Sequence, residues 1–388
     1  MAIKTPVYMD YHATTPVDPR VLEVMLPYFT NEFGNASSTD HQFGAKASEA
    51  VETSREQVAQ LISAQPEEIV FTSGATESDN LAIEGVAQAY KDKGRHIITC
   101  TTEHKAILKT CESLSNLGWS ISYIPVDQSG IVDIQKMEDA ITDKTVLISV
   151  MFANNEIGTI APVEQIGQLA KKHGVFFHTD AAQAVGHVPV DVDELNIDLM
   201  SISSHKACGP KGAGAIFVRR HGRRVKPEPM IHGGGQERGL RSGTENVPGI
   251  VGMGKAMEIA SKELASEQVR LRQWTNRMHG EFSQIEGTAQ NGHPTQRLPS
   301  NLNMYFKGIE AKALIQNLIK DVAISAGSAC TTKEVEPSHV IVALGYPAER
   351  AYSSIRFGLG RFNTEEEIDY VIPAVIDSVK RLRRLVTV

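Results

Sequence analysis

The sequence predicts an α/β protein: a large domain built on a mainly parallel sheet, accompanied by a smaller α+β domain. Three observations carry that expectation. From residue 68 to about 218, short β-branched runs alternate with helical stretches. Small polar segments come after some of these runs, at the carboxyl ends of strands where such sheets bind ligands. Past residue 248 a long helical run gives way to a second set of strands and helices.

In order along the chain, Ile69–Thr72, 96–99, 121–126, 146–151, 175–179, Leu199–Ser203 and 215–218 read as strands. Ala75–Tyr90, 104–116 and Val163–His173 read as helices between them, covering both faces of the sheet. After the Gly-rich residues 233–235 and the segment 242–248, a helical run reaches Ile285 and would bridge two domains. Beyond it, Asn301–Phe306, 322–325 and Ser354–Gly358 read as strands, and 310–320 and 337–344 as helices. The last helix opens on a capping box, Thr364 with Glu367, and carries one apolar stripe through Ile368, Val371, Ile372, Val375, Ile376, Val379 and Leu382. The expected division is residues 15–260 as the large domain, and 1–14 with 261–388 as the small one.

Composition narrows the function classes. The 388 residues are 41% hydrophobic and 22% charged, ordinary for a globular chain with a large core. A formal net charge of -7 gives no global attraction to nucleic acid or anionic lipid, and no direct nucleic-acid partner is expected. No stretch approaches the length of a membrane span, and the segment from Met1 to Asp10 has no signal-like apolar run, so a cytoplasmic protein is expected. Cys100, Cys111, Cys208 and Cys330 make neither a disulfide framework nor a CxxC site; a cysteine with a role should be a reactive one. His173, His178, His187 and His205 match no ligand pattern such as HExxH, and no metal is expected.

The strand Ile69–Thr72 runs into Ser73-Gly74-Ala75-Thr76-Glu77 and then a helix, so that backbone N–H groups and the Thr76 hydroxyl face an anion at a helix N-terminus. Alone, such a segment is more often a simple cap. Ser203-Ser204-His205-Lys206 directly succeeds another strand, which puts Lys206 at the ligand edge of the sheet. A Schiff-base lysine there needs desolvation or positive neighbours to lower its ordinary pKa of about 10.4; standing alone it would be a surface residue in a turn. Residues 175–180 carry the Asp180 carboxylate to the end of a buried strand, where a protonated pyridine nitrogen would pair with it and a cap before Ala181-Ala182-Gln183 is the alternative.

Taken together, the order is specific: phosphate cup, His104, Asn155, Asp180 with Gln183, then Ser203-x-His205-Lys206. From Tyr11-His12-Ala13-Thr14-Thr15-Pro16 to Arg356-Phe357-Gly358-Leu359-Gly360-Arg361-Phe362 the chain resembles the cysteine desulfurases, pyridoxal-phosphate enzymes of the aspartate-aminotransferase fold (PLP fold type I). Residues 72–78, 102–105, 154–158 and 241–244 are each similar to segments of that family. The resemblance implies pyridoxal 5'-phosphate as cofactor and L-cysteine as substrate. It implies that Lys206 carries the cofactor, that His104 stacks on its ring and assists proton transfer, that Asp180 pairs with the ring nitrogen and that Gln183 hydrogen-bonds the ring hydroxyl. Asn155 would lie beside cofactor and substrate, while Ala75, Thr76, Ser203 and His205 bind phosphate. Thr244 is similar to the residue that reaches the phosphate from the other subunit, which implies a homodimer.

Ser325-Ala326-Gly327-Ser328-Ala329-Cys330-Thr331-Thr332 is a run of small residues that cannot pack a core, a setting that favours a reactive cysteine. It resembles the longer mobile catalytic loop of the NifS/IscS-like class, which implies that Cys330 attacks the substrate sulfur, holds it as a persulfide and passes it to an acceptor protein. Arg356 alternates with Ile355 and Phe357 on a strand; by resemblance its fork clamps the substrate α-carboxylate, a surface ion pair being the plainer alternative. Two features depart from the family pattern. Ala207-Cys208 stands where bulkier residues are usual, with Cys208 expected to be a packing residue rather than a second sulfur carrier. The chain also ends at Val388, without the extension that longer relatives use to dock an iron-sulfur scaffold, which leaves iron-sulfur assembly, thiolation and other acceptors open. Selenocysteine lyase, cysteine sulfinate desulfinase, aminotransferase and an idle sulfur-relay subunit are the rival expectations.

Overall fold

Residues 3–326 and 336–386 are described by a computed structural model. In chain order its strands are β1 (Val7–Tyr8), β2 (Ile69–Thr72), β3 (His96–Cys100), β4 (Ser120–Ile124), β5 (Thr145–Ser149), β6 (Phe176–Asp180), β7 (Leu199–Ser203), β8 (Gly214–Val218), β9 (Thr288–Gln290), β10 (Asn301–Phe306), β11 (Val322–Ala323) and β12 (Ser354–Gly358). A seven-stranded sheet has the order β2-β8-β7-β6-β5-β3-β4. Its pairs from β4 to β7 are parallel, whereas β8 runs antiparallel to both β7 and β2. The short connection 204–213 allows only that reversal, because a parallel return needs a longer crossover.

Alternation along the central strands feeds two cores. Ile98, Ile148, Phe177, Met200 and Phe217 pack on one face, and Ile97, Leu147, Phe176, Leu199 and Ile216 on the other. Burial on both sides explains why these strands read as nearly unbroken apolar runs. A three-stranded antiparallel sheet, β9-β10-β12, packs Leu302, Met304, Phe306, Ile355 and Phe357 against Val371, Val375 and Val379 of the last helix.

Helix Val247–Phe282 joins these cores. It buries Val247, Ile250, Met253 and Met257 in the first and Leu271, Trp274, Met278 and Phe282 in the second. Near the N-terminus, β1 pairs in parallel with β11, and the chain then passes Gly358 at the Asp10 bridge.

Several expected elements end sooner than their apolar runs. The run 121–126 stops at Ile124 because Pro125 has no N–H for the ladder. The run 322–325 pairs only at Val322–Ala323. The helices expected over 310–320 and 337–344 occupy Ala311–Asn317 and His339–Ala343, the latter starting after Ser338, whose Oγ accepts the Ile341 N–H. Among the described residues no helix is long and apolar enough to cross a membrane.

Candidate active site

The turn after β2 is shaped by two glycines. Gly74 has φ 152° and caps helix Ala75–Tyr90, while a Cβ on Gly214 of β8 would stand 2.5 Å from the Gly74 Cα. The positive φ open to Gly74 and the absent side chain of Gly214 let the turn lie against β8, and the first turn of the helix lines a cavity of about 520 Å³. Glu77 pins this turn: its Oε2 accepts the Ser73 N–H at 2.9 Å and its Oε1 accepts Arg241 Nε–H at 2.9 Å.

Ala75, Thr76, His104, Asn155, Asp180, Gln183, Ser203, His205 and Lys206 all line this cavity, together with Ala13, Thr14, Met151 and Lys211. They arrive from the ends of β6 and β7, from the segments that follow β1, β2, β5, β6 and β7, and from the start of helix Lys105–Asn116. His104 caps that helix, its Nδ1 accepting the Ala106 N–H at 3.2 Å, which leaves Nε2 as the remaining ring position. Asp180 ends β6 fully within the fold and accepts the Ala182 N–H at 2.9 Å. Burial pushes its pKa up, against the pull of His104 and Lys206. Asp79 lies close by, with ligand atoms of Asp79, His104 and Asp180 all within 4.8 Å of one another.

Lys206 sits just past β7 in a single 3-10 turn, and its Nζ donates to the carbonyls of His12 at 2.5 Å and Ala13 at 2.8 Å. Burial and the Arg356 charge lower its pKa to about 8, while Asp180 and Asp10 oppose them. His205 Nδ1 sits 3.1 Å from Thr14 Oγ1, and burial with Lys206 and Lys211 pulls its pKa to about 4, so the ring is neutral at pH 7. Arg356 stands on β12, its Nη1 donating to the Asn155 carbonyl at 2.9 Å and its Nη2 to Asp10 Oδ1 at 2.8 Å. Thr244 is exposed and does not line the cavity. Cys330 lies outside the described residues.

This donor set suits a phosphorylated pyridine aldehyde. It offers a helix N-terminus with hydroxyls for the phosphate, an amine of lowered pKa for the aldehyde, and a buried carboxylate for a cationic ring nitrogen. The class-V aminotransferase family model matches residues 7–371. The cysteine desulfurase IscS of Anaeromyxobacter dehalogenans is 52% identical over 384 residues, covering 99% of this chain and 95% of its own. The chain belongs to the cysteine desulfurase family. Among solved structures, a NifS-like protein superposes with a TM-score of 0.89 at 38% identity, over 97% of this chain and 99% of that one. SspA in complex with cysteine gives a TM-score of 0.80 at 38% identity, over 92% of this chain and all of that one (100%).

In this desulfurase, two functional neighbours carried no assigned role in the sequence. Asp10 holds Arg356, and His12 touches both Gln183 and Lys206. Both lie in or beside the segment Tyr11-His12-Ala13-Thr14-Thr15-Pro16; a polar segment this close to the start of β1's continuation is the available signal, though nothing in its spacing names its partners. Cys208 is 4% exposed with φ 62°, and burial pushes its thiol up to about 11.

Proposed function

We propose that the chain is a pyridoxal-phosphate-dependent cysteine desulfurase that converts L-cysteine to L-alanine and takes the sulfur onto Cys330 as a persulfide. The observation that carries this reading is the meeting, in one cavity, of Lys206 with a pKa lowered to about 8 and the buried Asp180. A cysteine-bound relative supports the substrate.

Ala75 through its backbone, Thr76, Ser203 and His205 would hold the cofactor's phosphate, Gln183 its ring oxygen, Asp180 its ring nitrogen and Lys206 its aldehyde. When bound, the cofactor supplies an electron sink for the substrate's Cα electrons. Lys206, as a neutral amine, would take the Cα proton, and His104, whose Nδ1 lone pair is held by the Ala106 N–H, would assist proton transfer as a donor through Nε2–H. Arg356 orients the substrate by its carboxylate, beside Asn155. Cys330, as a thiolate, would form an S–S bond to the substrate sulfur as the C–S bond breaks with its electron pair left on Cβ; one proton added at Cβ and one returned to Cα would complete alanine.

The proposal includes a homodimer in which Thr244 reaches the partner's phosphate site, supported by its exposure outside the cavity and by the exposed Phe29, Phe33 and Phe43. It also includes a large cofactor domain over 15–260, a small domain of 1–14 and 261–388, a cytoplasmic location, and an acceptor protein for the persulfide in iron-sulfur assembly, thiolation or a related pathway. The test is alanine and sulfide release from L-cysteine under excess thiol, wild type against Cys330→Ala. Both products from wild type, with almost none from a variant that still binds cofactor, is the expected result. Equal activity of the two proteins overturns the role of Cys330.

A further inference from the structure

His12 is 5% exposed and has no part in the chemistry proposed for the cavity. Its ring Nδ1 lies 2.8 Å from Gln183 Oε1, and its carbonyl oxygen accepts Gln183 Nε2–H at 3.0 Å. The second contact orients the amide, since only the NH₂ end donates to a carbonyl; Oε1 therefore faces the ring and Nδ1 carries the proton. Nε2 is then a bare lone pair, buried and without a hydrogen-bond partner among the described residues.

The surroundings hold the ring in this form. Arg356, His187 and Lys206 are the charged and titratable groups facing it, and none favours a second proton. Burial, then Arg356, lowers its pKa to about 3 despite the Gln183 contact, so the neutral tautomer persists across the working pH range. Gly358 closes the other side: a Cβ there would come within 2.8 Å of His12 Cδ2. The Tyr11 N–H donates to the Gly358 carbonyl at 3.2 Å and the Gly358 N–H to the Met9 carbonyl at 2.8 Å, which fixes the backbone on either side of that contact.

We infer that His12 is a positioning residue, clamping the Gln183 amide at both its oxygen and its nitrogen so that the one remaining N–H is kept for the cofactor's ring oxygen. The inference rests on the proposed cofactor and extends its support to a residue outside the cavity lining. A Gln183 free to rotate would offer its oxygen to the ring oxygen as readily as its N–H, and the donor would be lost for part of the time. A donor on the ring oxygen draws electron density from it and weakens its hold on the proton of the Lys206 linkage. Loss of the donor therefore raises the pH at which the cofactor's visible absorption changes.

The experiment is a pH titration of that absorption in wild-type holoenzyme, His12→Leu, His12→Asn, Gln183→Ala and the double variant of His12→Leu with Gln183→Ala. His12→Leu keeps the volume and removes the donor, whereas the Asn amide can replace Nδ1–H. The expected result is a midpoint raised by about one pH unit in Gln183→Ala and by a resolvable fraction of that in His12→Leu, where the residue 12 carbonyl still accepts from the amide and the donor is lost for part of the time. No rise beyond that of Gln183→Ala should occur in the double variant, and His12→Asn should lie near wild type. An unshifted His12→Leu beside a shifted Gln183→Ala overturns the clamp and leaves the cofactor reading standing. So do additive shifts in the double variant, or an unshifted Gln183→Ala. A wild-type protein with no cofactor absorption after incubation with pyridoxal phosphate overturns both. Should His12→Leu fail to fold, His12→Ala carries the same comparison.

Discussion

Arg356 Nη2 donates to Asp10 Oδ1 over 2.8 Å, and the same oxygen accepts the Ser325 hydroxyl at 2.9 Å. The Arg356 backbone N–H meanwhile donates to the Ser325 carbonyl at 2.8 Å, so side chain and backbone tie these residues together. Arg356 is 4% exposed at its side chain, and its Nε finds no partner among the described residues. A guanidinium this buried retains hydrogen-bonding capacity that a substrate carboxylate can use.

Removing the fork should therefore act on substrate capture. Arg356→Ala is expected to raise the KM for L-cysteine by about 10-fold to 100-fold. Arg356→Lys, which keeps the charge and loses the planar fork, should fall between that variant and wild type. Asp10→Ala leaves the Arg356 charge without its carboxylate and should cost about 1–3 kcal/mol in denaturant unfolding, the lower end reflecting the partial exposure of Asp10. A KM unchanged in Arg356→Ala removes the carboxylate role.

Lys206 sets a pH dependence with a definite sign. Only its neutral form attacks an aldehyde, and its pKa is lowered to about 8 by burial and then by Arg356. Uptake of pyridoxal phosphate by apoprotein should climb with pH below about 8 and level off above it, monitored by the growth of visible absorption in rapid mixing. Arg356→Ala removes a positive neighbour and should move that midpoint upward; a downward movement would contradict the electrostatic account.

Much of this site was legible because strand ends are legible. Phe176–Asp180 and Leu199–Ser203 are buried on both faces, so their apolar runs stand out, and the turns just past them, Ala181 to Gln183 and Ser204 to Lys206, reach the cavity. The antiparallel direction of β8 was not legible, since a strand's own pattern is the same in either direction. Neither were the roles of His12 and Asp10, whose partners are 171 and 346 positions away. Contacts at such separations leave no local periodicity. Asp79 was hidden differently: within Ser78-Asp79-Asn80 it looks like a solvated helix residue, yet it is completely buried beside Asp180.

Two acids so close in a buried site cannot both ionise at low cost. Burial, and then Asp180, pushes the Asp79 carboxyl well above the usual carboxylate range. A pKa raised in the folded state gives stability that is complete below the unfolded value of about 3.9 and is lost as pH climbs toward the folded one. Asp79→Asn is neutral at every pH and should match wild type near pH 3, then gain on it as pH rises to 8, by about 1 kcal/mol or more in urea unfolding. Asp180→Asn, by contrast, removes the carboxylate proposed to pair with the cofactor's ring nitrogen and should lose most turnover. A stability difference that narrows with rising pH would mean that Asp79 is ionised in the folded protein.

Cys208 offers the sharpest contrast with Cys330. Its thiol is buried, its pKa is pushed up to about 11, and its N–H donates to Thr15 Oγ1 at 3.0 Å, holding a backbone at φ 62°. Thiolate, the nucleophilic form, is then scarce at pH 7. Cys208→Ala keeps the Cβ and the backbone geometry and should retain alanine and sulfide release within about two-fold of wild type, because no reacting group is lost. Cys208→Gly suits the left-handed conformation and should offset part of the lost side-chain packing, giving a melting temperature at or above that of Cys208→Ala. Labelling of persulfide after a single turnover should stay on Cys330 in both variants. Loss of that label in Cys208→Ala, with cofactor still bound, would make Cys208 a sulfur carrier and divide the relay between two cysteines.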